Sequence, residues 1–232
     1  YKGGLYMQED LYNNDTGVIR NTEVFSKAFL WMFMGLFATG LISWFTYSQG
    51  LLDNMLTRSS FGIMLFVEVV VVIVFELCFR KLPPVAVAVL FFVYAVINGI
   101  TLSVIYYVYD LSSIVYVLFT AAILFGIFSF IGGVLKKDIT RIGTIFLWVL
   151  FAAIIISIIN MFVGNAMIDT IIDWVVLVVF FGITAWDVQQ IKTILATNSL
   201  PAEKAHIYGA MMLYLDFINI FLRLLSIFGK KD

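Results

Sequence analysis

The chain has 232 residues, of which 62% are hydrophobic and only 12% are charged. Soluble domains contain about 25% charged residues, so this composition excludes an ordinary soluble fold. The net charge of −1 offers no basic surface for nucleic acid, and the single cysteine, Cys78, excludes an internal disulfide and a thiolate metal cluster.

Long apolar runs, each near the roughly 20 residues that one membrane span needs, predict an all-α integral membrane protein with seven transmembrane helices. A polar cytosolic tail of residues 1–27 comes first. The bundle occupies residues 28–228, and residues 229–232 form a short C-terminal tail. In chain order the predicted spans are 28–47, 61–79, 84–107, 114–135, 142–163, 174–191 and 207–228.

Basic residues predict the orientation of these spans. Ten of the 14 Lys and Arg residues fall in the N-terminal tail or in the loops after spans 2, 4 and 6, against three on the opposite side. Because basic loops stay in the cytosol, we expect a cytosolic N-terminus and an outside C-terminus. The opposite loops are expected to carry solvated acids, namely Asp53, Asp110, Asp169 and Asp173.

Five charged residues lie inside the predicted spans: Glu68, Glu76, Asp187, Asp216 and Arg223. An acid at mid-membrane costs roughly 2.5–3.5 kcal/mol on insertion scales, so each needs a partner or a functional role. Four acids against one base indicate that the bundle handles cations or protons.

Asp187 and Asp216 are expected at similar depth on two consecutive antiparallel helices, about 7–10 Å from the cytosolic end. Two neighbouring carboxylates do not both ionise cheaply, so such a pair would share one proton and could act as a pH switch. Asn219 and Arg223 extend the polar face of the last span beyond Asp216. The alternative is that each aspartate bonds a neighbouring helix separately, or that Asp216 pairs with Arg223.

Further polar residues lie on other predicted spans. Glu76 and Arg80 have the i,i+4 spacing of a helical ion pair. Glu68 is expected to face the bundle interior. Asn98 and Asn160 have the character of residues that hydrogen-bond between membrane helices.

Three motifs carry a resemblance to a known family. They are YLDFINIFLRLL at residues 214–225, NGITLS at residues 98–103 and AWDVQQIK at residues 185–192. In this order they resemble the motifs of the Bax inhibitor-1 family, in its bacterial branch, and the resemblance extends over nearly the whole chain after the tail.

The resemblance implies a seven-helix protein that leaks calcium in a pH-dependent way. In that picture the aspartates that match Asp187 and Asp216 share a proton, and a basic residue of the second span latches onto the first of them. Phe79 stands at the matching latch position, so the next residue, Arg80, is the best substitute. Glu68 resembles the acid of the second span in the family.

The expected function is therefore a pH-gated calcium pathway in the plasma membrane, not an enzyme, formed by a monomer without a bound cofactor. Calcium would contact Asp187 and Asp216 transiently, through the hard oxygen ligands that it prefers. Candidate residues along the pathway are Glu68, Glu76, Asn98, Asn219 and Arg223.

Two alternatives belong to other classes of protein. The chain could be a membrane regulator that binds other membrane proteins, such as a quality-control protease, through its polar tail. An intramembrane aspartyl protease is disfavoured, because the residues LYLD at 213–216 replace the Gly-x-Gly-Asp motif of such enzymes.

Overall fold

The computed structural model describes residues 2–52, 67, 70–197 and 199–231 and, within the first helix, the side chains of residue 23 and of residues from 25 onward. Residues 70–78 are helical. The other helices are α1 (Lys2–Ser48), α2 (Pro84–Leu102), α3 (Ile105–Val108), α4 (Leu111–Val134), α5 (Thr140–Val163), α6 (Ala166–Ala196) and α7 (Ala202–Phe228). The predicted polar tail and first span thus form one continuous helix.

Six helical segments in the described part of the chain are long and apolar enough to cross a membrane. They are Phe25–Ser48, Pro84–Val108, Leu111–Val134, Thr140–Val163, Ala166–Ala196 and Ala202–Phe228. These segments confirm the predicted all-α membrane fold and six of its seven spans. Most of the predicted second span, 61–79, lies outside the described residues, and the cytosolic N-terminus stays a prediction from the basic loops.

The turn between α5 and α6 is tighter than predicted. Gly164 ends α5 with φ 71°, a left-handed conformation that suits glycine. The next residue, Asn165, caps α6 by accepting hydrogen bonds from two of its first N–H groups at 2.9 and 3.4 Å. The sequence-based placement of Asp169 and Asp173 in a loop is therefore wrong, because α6 begins at Ala166 and contains both.

α7 lies at the centre of the bundle, in contact with α1, α2, α4 and α6. Its side chains Leu213, Tyr214 and Ile220 are fully buried. The Tyr214 hydroxyl hydrogen-bonds the Thr39 hydroxyl of α1 at 2.7 Å, and Thr39 also donates to the Ala95 carbonyl of α2 at 3.0 Å. This buried network joins three helices around α7.

Glycines let α4 and α5 approach α6 closely. A Cβ on Gly132 of α4 would lie 2.2 Å from the Ala185 carbonyl oxygen, and one on Gly143 of α5 would lie 2.1 Å from the Trp186 ring. Both contacts fall on the α6 residues that directly precede Asp187. The backbone of α6 is thereby fixed at the depth of the predicted aspartate pair.

The outer surface of the bundle is apolar, as a lipid environment requires. Large side chains point outward on α4 and α5, including Phe130, Trp148 and Phe162 at 70%, 68% and 81% exposure. Buried polar groups such as Asp187 and Asp216 therefore lie inside a protein whose exterior is suited to hydrocarbon.

Candidate functional site

Asp187 and Asp216 are buried inside the bundle on the adjacent antiparallel helices α6 and α7. Their exposed fractions are 8% and 2%, and their carboxyl groups are close enough to interact electrostatically. The Thr184 hydroxyl, one turn before Asp187, lies beside the Asp216 carboxyl and donates to the Phe180 carbonyl at 2.8 Å. Oδ2 of Asp216 is buried and has no hydrogen-bond partner among the described residues.

Glu76 and Tyr208 extend this pair into a larger cluster. The Tyr208 hydroxyl donates to Oε1 of Glu76 at 3.3 Å, and both residues interact electrostatically with Asp187. The Tyr208 ring stacks on Phe79, with 4.3 Å between the ring centroids. We call Glu76, Tyr208, Asp187 and Asp216 the carboxylate cluster. Within this cluster Glu76 interacts electrostatically with Asp187, and Asp187 interacts with Asp216.

Tyr208 was not among the residues predicted from the sequence. Its position could have indicated it, because Tyr208, Met212 and Asp216 follow one another at i,i+4 and therefore share one face of α7. What the sequence does not show is that this face meets Glu76 of the helical segment 70–78.

The predicted ion pair between Glu76 and Arg80 is absent. Among the described residues the ion pairs are Glu23 with Lys27 and Asp173 with Arg223. The helical segment ends at residue 78, so Arg80 lies in a turn and does not continue the face of Glu76. Arg80 is exposed, and its guanidinium lies 5.7 Å from the centroid of the Phe79 ring.

Arg223 pairs with Asp173 rather than with Asp216, which corrects the alternative that the sequence left open. Its Nη1 lies 2.6 Å from Oδ1 of Asp173, and the Ser226 hydroxyl donates to Oδ2 at 2.5 Å. Arg223 is seven residues past Asp216, about 10 Å further along α7. The side chain therefore reaches the first part of α6, where Asp173 lies.

Of the other polar residues predicted inside the spans, Asn98 and Asn219 bond within their own helices, whereas Asn160 bonds a neighbouring helix. Asn98 donates to the Tyr94 hydroxyl at 3.1 Å, and Asn219 donates to the Leu215 carbonyl at 2.8 Å, each within its own helix. Asn160 of α5 reaches Asp169 of α6 at 2.6 Å, which confirms the prediction that it bonds two helices. Glu68 lies outside the described residues.

Two cavities flank the carboxylate cluster. The near cavity, about 220 Å³, lies towards the α6–α7 connection and is lined by Phe79, Arg80, Gln190, Ile194, Ser199, Leu200, Tyr208 and Met212. The far cavity, about 440 Å³, lies towards the α5–α6 turn; its lining includes Tyr94, Ser157, Ile172, Phe180, Asn219 and Arg223. Neither Asp187 nor Asp216 lines either cavity, but Asp216 lies between Met212 of the near cavity and Asn219 of the far cavity on one face of α7. Both spaces are large enough for water.

Among the described residues, no three His, Cys, Asp or Glu side chains are grouped to hold a metal ion. The aspartate pair does offer hard oxygen ligands of the kind that calcium prefers. Transient calcium contact with Asp187 and Asp216 stays a prediction.

Comparison with known proteins gives consistent matches. A sequence profile described as "Inhibitor of apoptosis-promoting Bax1" matches residues 21–232. The "Inner membrane protein YbhL" of Escherichia coli K12 is 31% identical over 212 residues, which cover 89% of this chain and 91% of that protein. An "Uncharacterized membrane protein" of Streptococcus pyogenes serotype M3 is 29% identical over 98% of both chains. A protein of Deinococcus radiodurans is 30% identical over 89% of this chain and 90% of its own length.

Proposed function

Because the chain belongs to the Bax inhibitor-1 family, we propose that it forms a calcium leak pathway across a membrane, gated by protonation of Asp187 and Asp216. The observation that carries this proposal is the buried aspartate pair, with one cavity lined by Met212 before Asp216 on α7 and another lined by Asn219 after it. The Escherichia coli relative is called an inner membrane protein, which supports a location in the plasma membrane.

A charged group is costly inside the low-dielectric interior of the bundle. Asp187 and Asp216 are both buried, and neither forms an ion pair with a described basic residue. Two such carboxylates are stabilised when they share a proton or when a cation lies between them. Proton and calcium therefore compete for the same oxygens, and this competition couples calcium passage to pH.

Glu76 and Tyr208 add a route from this pair towards the near cavity. Tyr208 lines that cavity and hydrogen-bonds Glu76. Arg80 lines the same cavity, within reach of the electrostatic field of the cluster. In the proposed mechanism Arg80 moves towards Asp187 in a closed state and away from it when the pathway opens.

The test is calcium flux into proteoliposomes that contain the purified full chain, measured from about pH 5 to pH 8, the range in which a physiological sensor responds. We expect wild-type flux to change with pH, and we expect Asp187→Asn and Asp216→Asn to flatten that dependence. Asp138→Asn is the matched control, because Asp138 is an exposed aspartate between α4 and α5. Flux that is equally pH-dependent in all four proteins would refute the sensor.

A wild-type protein that carries no calcium at any pH would refute the channel itself. The regulator alternative then gains support if the purified chain still binds another membrane protein. Helix α1 extends from Lys2 to Ser48, and the span begins only at Phe25; we expect such binding to involve the residues of α1 before that span. Truncation of residues 1–20 would then abolish binding.

A further inference from the structure

The ion pair between Asp173 and Arg223 stands at the far end of the bundle, which is the end formed by the α5–α6 turn and the C-terminal residues after α7. Asp173 has 12% of its side chain exposed and Arg223 has 36%. The Asp173 carboxylate accepts from Arg223 on one oxygen and from Ser226 on the other. Its negative charge is therefore fully engaged by two residues of α7.

The loop before α4 closes over this pair. Tyr109 lies beside Ser226 and Asp173; burial raises the pKa of its hydroxyl, and the negative charge of Asp173 raises that pKa further. The same loop is held by the C-terminal residues, since the Asp110 N–H donates to the Lys230 carbonyl at 3.0 Å and the Lys230 N–H donates to Ser113 at 2.9 Å. The loop before α4 and the C-terminal residues thus bound the ion pair on the side away from the far cavity.

On its inner side the pair borders the far cavity. Arg223 lines that cavity, and so does Ile172, the residue next to Asp173. Among the described residues that line it, Arg223 is the charged one. The Nε of Arg223 is buried and has no hydrogen-bond partner within the described chain. A cation in the far cavity therefore faces the Arg223 guanidinium, and among the described residues Asp173 is the acid that pairs with it.

We propose that Asp173 and Arg223 form a charge filter at the far end of the calcium pathway, in which Asp173 masks the repulsion that Arg223 exerts on a cation. Asp173 and Asp187 are 14 residues apart on α6, roughly 21 Å along the axis. The filter is therefore separate from the carboxylate cluster. It rests on the proposed calcium function, and it determines selectivity and rate rather than pH sensing.

The charge filter predicts that removing the charge of Asp173 and removing the charge of Arg223 change calcium flux in opposite directions. Asp173→Asn leaves an unmasked positive charge at the cavity and is expected to lower calcium flux by about tenfold. Arg223→Gln leaves a negative charge there and is expected to raise the flux several-fold. The double variant removes both charges and is expected to return close to wild type, as is Arg223→Lys, which keeps the charge.

The experiment measures calcium flux for these variants in proteoliposomes at one fixed pH, with the amount of folded protein determined by size-exclusion chromatography. In planar bilayers the cation-to-anion permeability ratio gives a second readout that does not depend on yield. This ratio should fall for Asp173→Asn and rise for Arg223→Gln. A purely structural ion pair would lower flux in both single variants and leave the ratio unchanged, and that result would overturn the filter.

Failure of the filter and failure of the channel give different results. If wild-type flux is present and depends on Asp187, but the two single variants shift flux in the same direction or not at all, the filter alone is wrong. If the wild-type protein carries no calcium, the proposed function falls and the filter falls with it.

Discussion

Close packing of α4 on α6 can be tested by adding one methyl group. Gly132 faces the backbone of α6, and a Cβ at this position would lie 2.2 Å from the Ala185 carbonyl oxygen and 2.7 Å from its Cα. Since ordinary carbon contacts need about 3.5 Å, Gly132→Ala forces α4 and α6 apart by roughly 1 Å. Neither obstacle is the flexible end of a side chain, so the strain cannot be relieved by a change of rotamer.

Overpacking of this kind costs about 1–3 kcal/mol. The change also replaces a helix glycine by alanine, whose higher helix propensity raises the free energy of unfolding by up to about 1 kcal/mol. Gly126→Ala on the same helix provides the matched control, because a Cβ there meets nothing within 4 Å. The difference between the two variants therefore isolates the clash, and we expect Gly132→Ala to be the less stable by about 1–3 kcal/mol.

The assay is reversible unfolding of the purified protein in mixed micelles, followed by circular dichroism as the denaturing detergent increases. If the two alanine variants agree within about 0.5 kcal/mol, the range of ordinary surface substitutions, the close approach of α4 to α6 is refuted. Because Ala185 lies two residues before Asp187, the same displacement should also weaken the pH dependence of calcium flux, whereas Gly126→Ala should leave it unchanged.

Three further predictions concern hydrogen bonds. Thr39→Val removes the hydroxyl that joins α1 to α2 and α7. It should lower the free energy of unfolding in the same assay by about 0.6–1.7 kcal/mol, and an equal loss for the exposed control Thr144→Val would contradict the importance of this hydrogen bond. The Gln189 side chain holds the loop between α4 and α5, because it donates to the Lys137 carbonyl at 2.8 Å and accepts from the Ile139 N–H at 3.0 Å. Gln189→Leu removes both hydrogen bonds, so proteolysis of that loop should accelerate, and unchanged cleavage would count against the contact. The Thr140 hydroxyl and N–H keep the pKa of Asp138 below its usual value. The contact therefore stabilises the folded state at pH values above the pKa that Asp138 has in the unfolded chain, and this stabilisation is lost as the pH falls through the pKa of Asp138 in the folded chain. Thr140→Ala should raise the pKa of Asp138 in an NMR titration, and an unchanged pKa would refute the contact.

Predictions from the sequence were most accurate where a residue's surroundings follow from its own helix. Apolar runs indicated six described spans because each helix must face lipid over a fixed thickness. Asp187 and Asp216 could be recognised because an acid in such a run needs a role or a partner. The prediction for Glu76 and Arg80 was wrong, because i,i+4 spacing predicts a contact only where the helix continues, and the segment here ends at residue 78.

Partners on different helices could not be read from spacing. Tyr208 meets Glu76 across more than 100 positions, and Arg223 meets Asp173 across 50. The second pairing was also hidden by a boundary error, because the cap at Asn165 moved the start of α6 and carried Asp173 from a predicted loop into the bundle.

The sequence by itself determined the class of the protein, because a chain with 12% charged residues is stable only where its apolar surface avoids water. It also singled out the intramembrane charges by the cost of placing them there. Only the tertiary structure decided which of those charges meet. Glycine contacts and the α5–α6 turn set the depth and rotation of α6, and these bring Asp187 to Asp216 and Asp173 to Arg223.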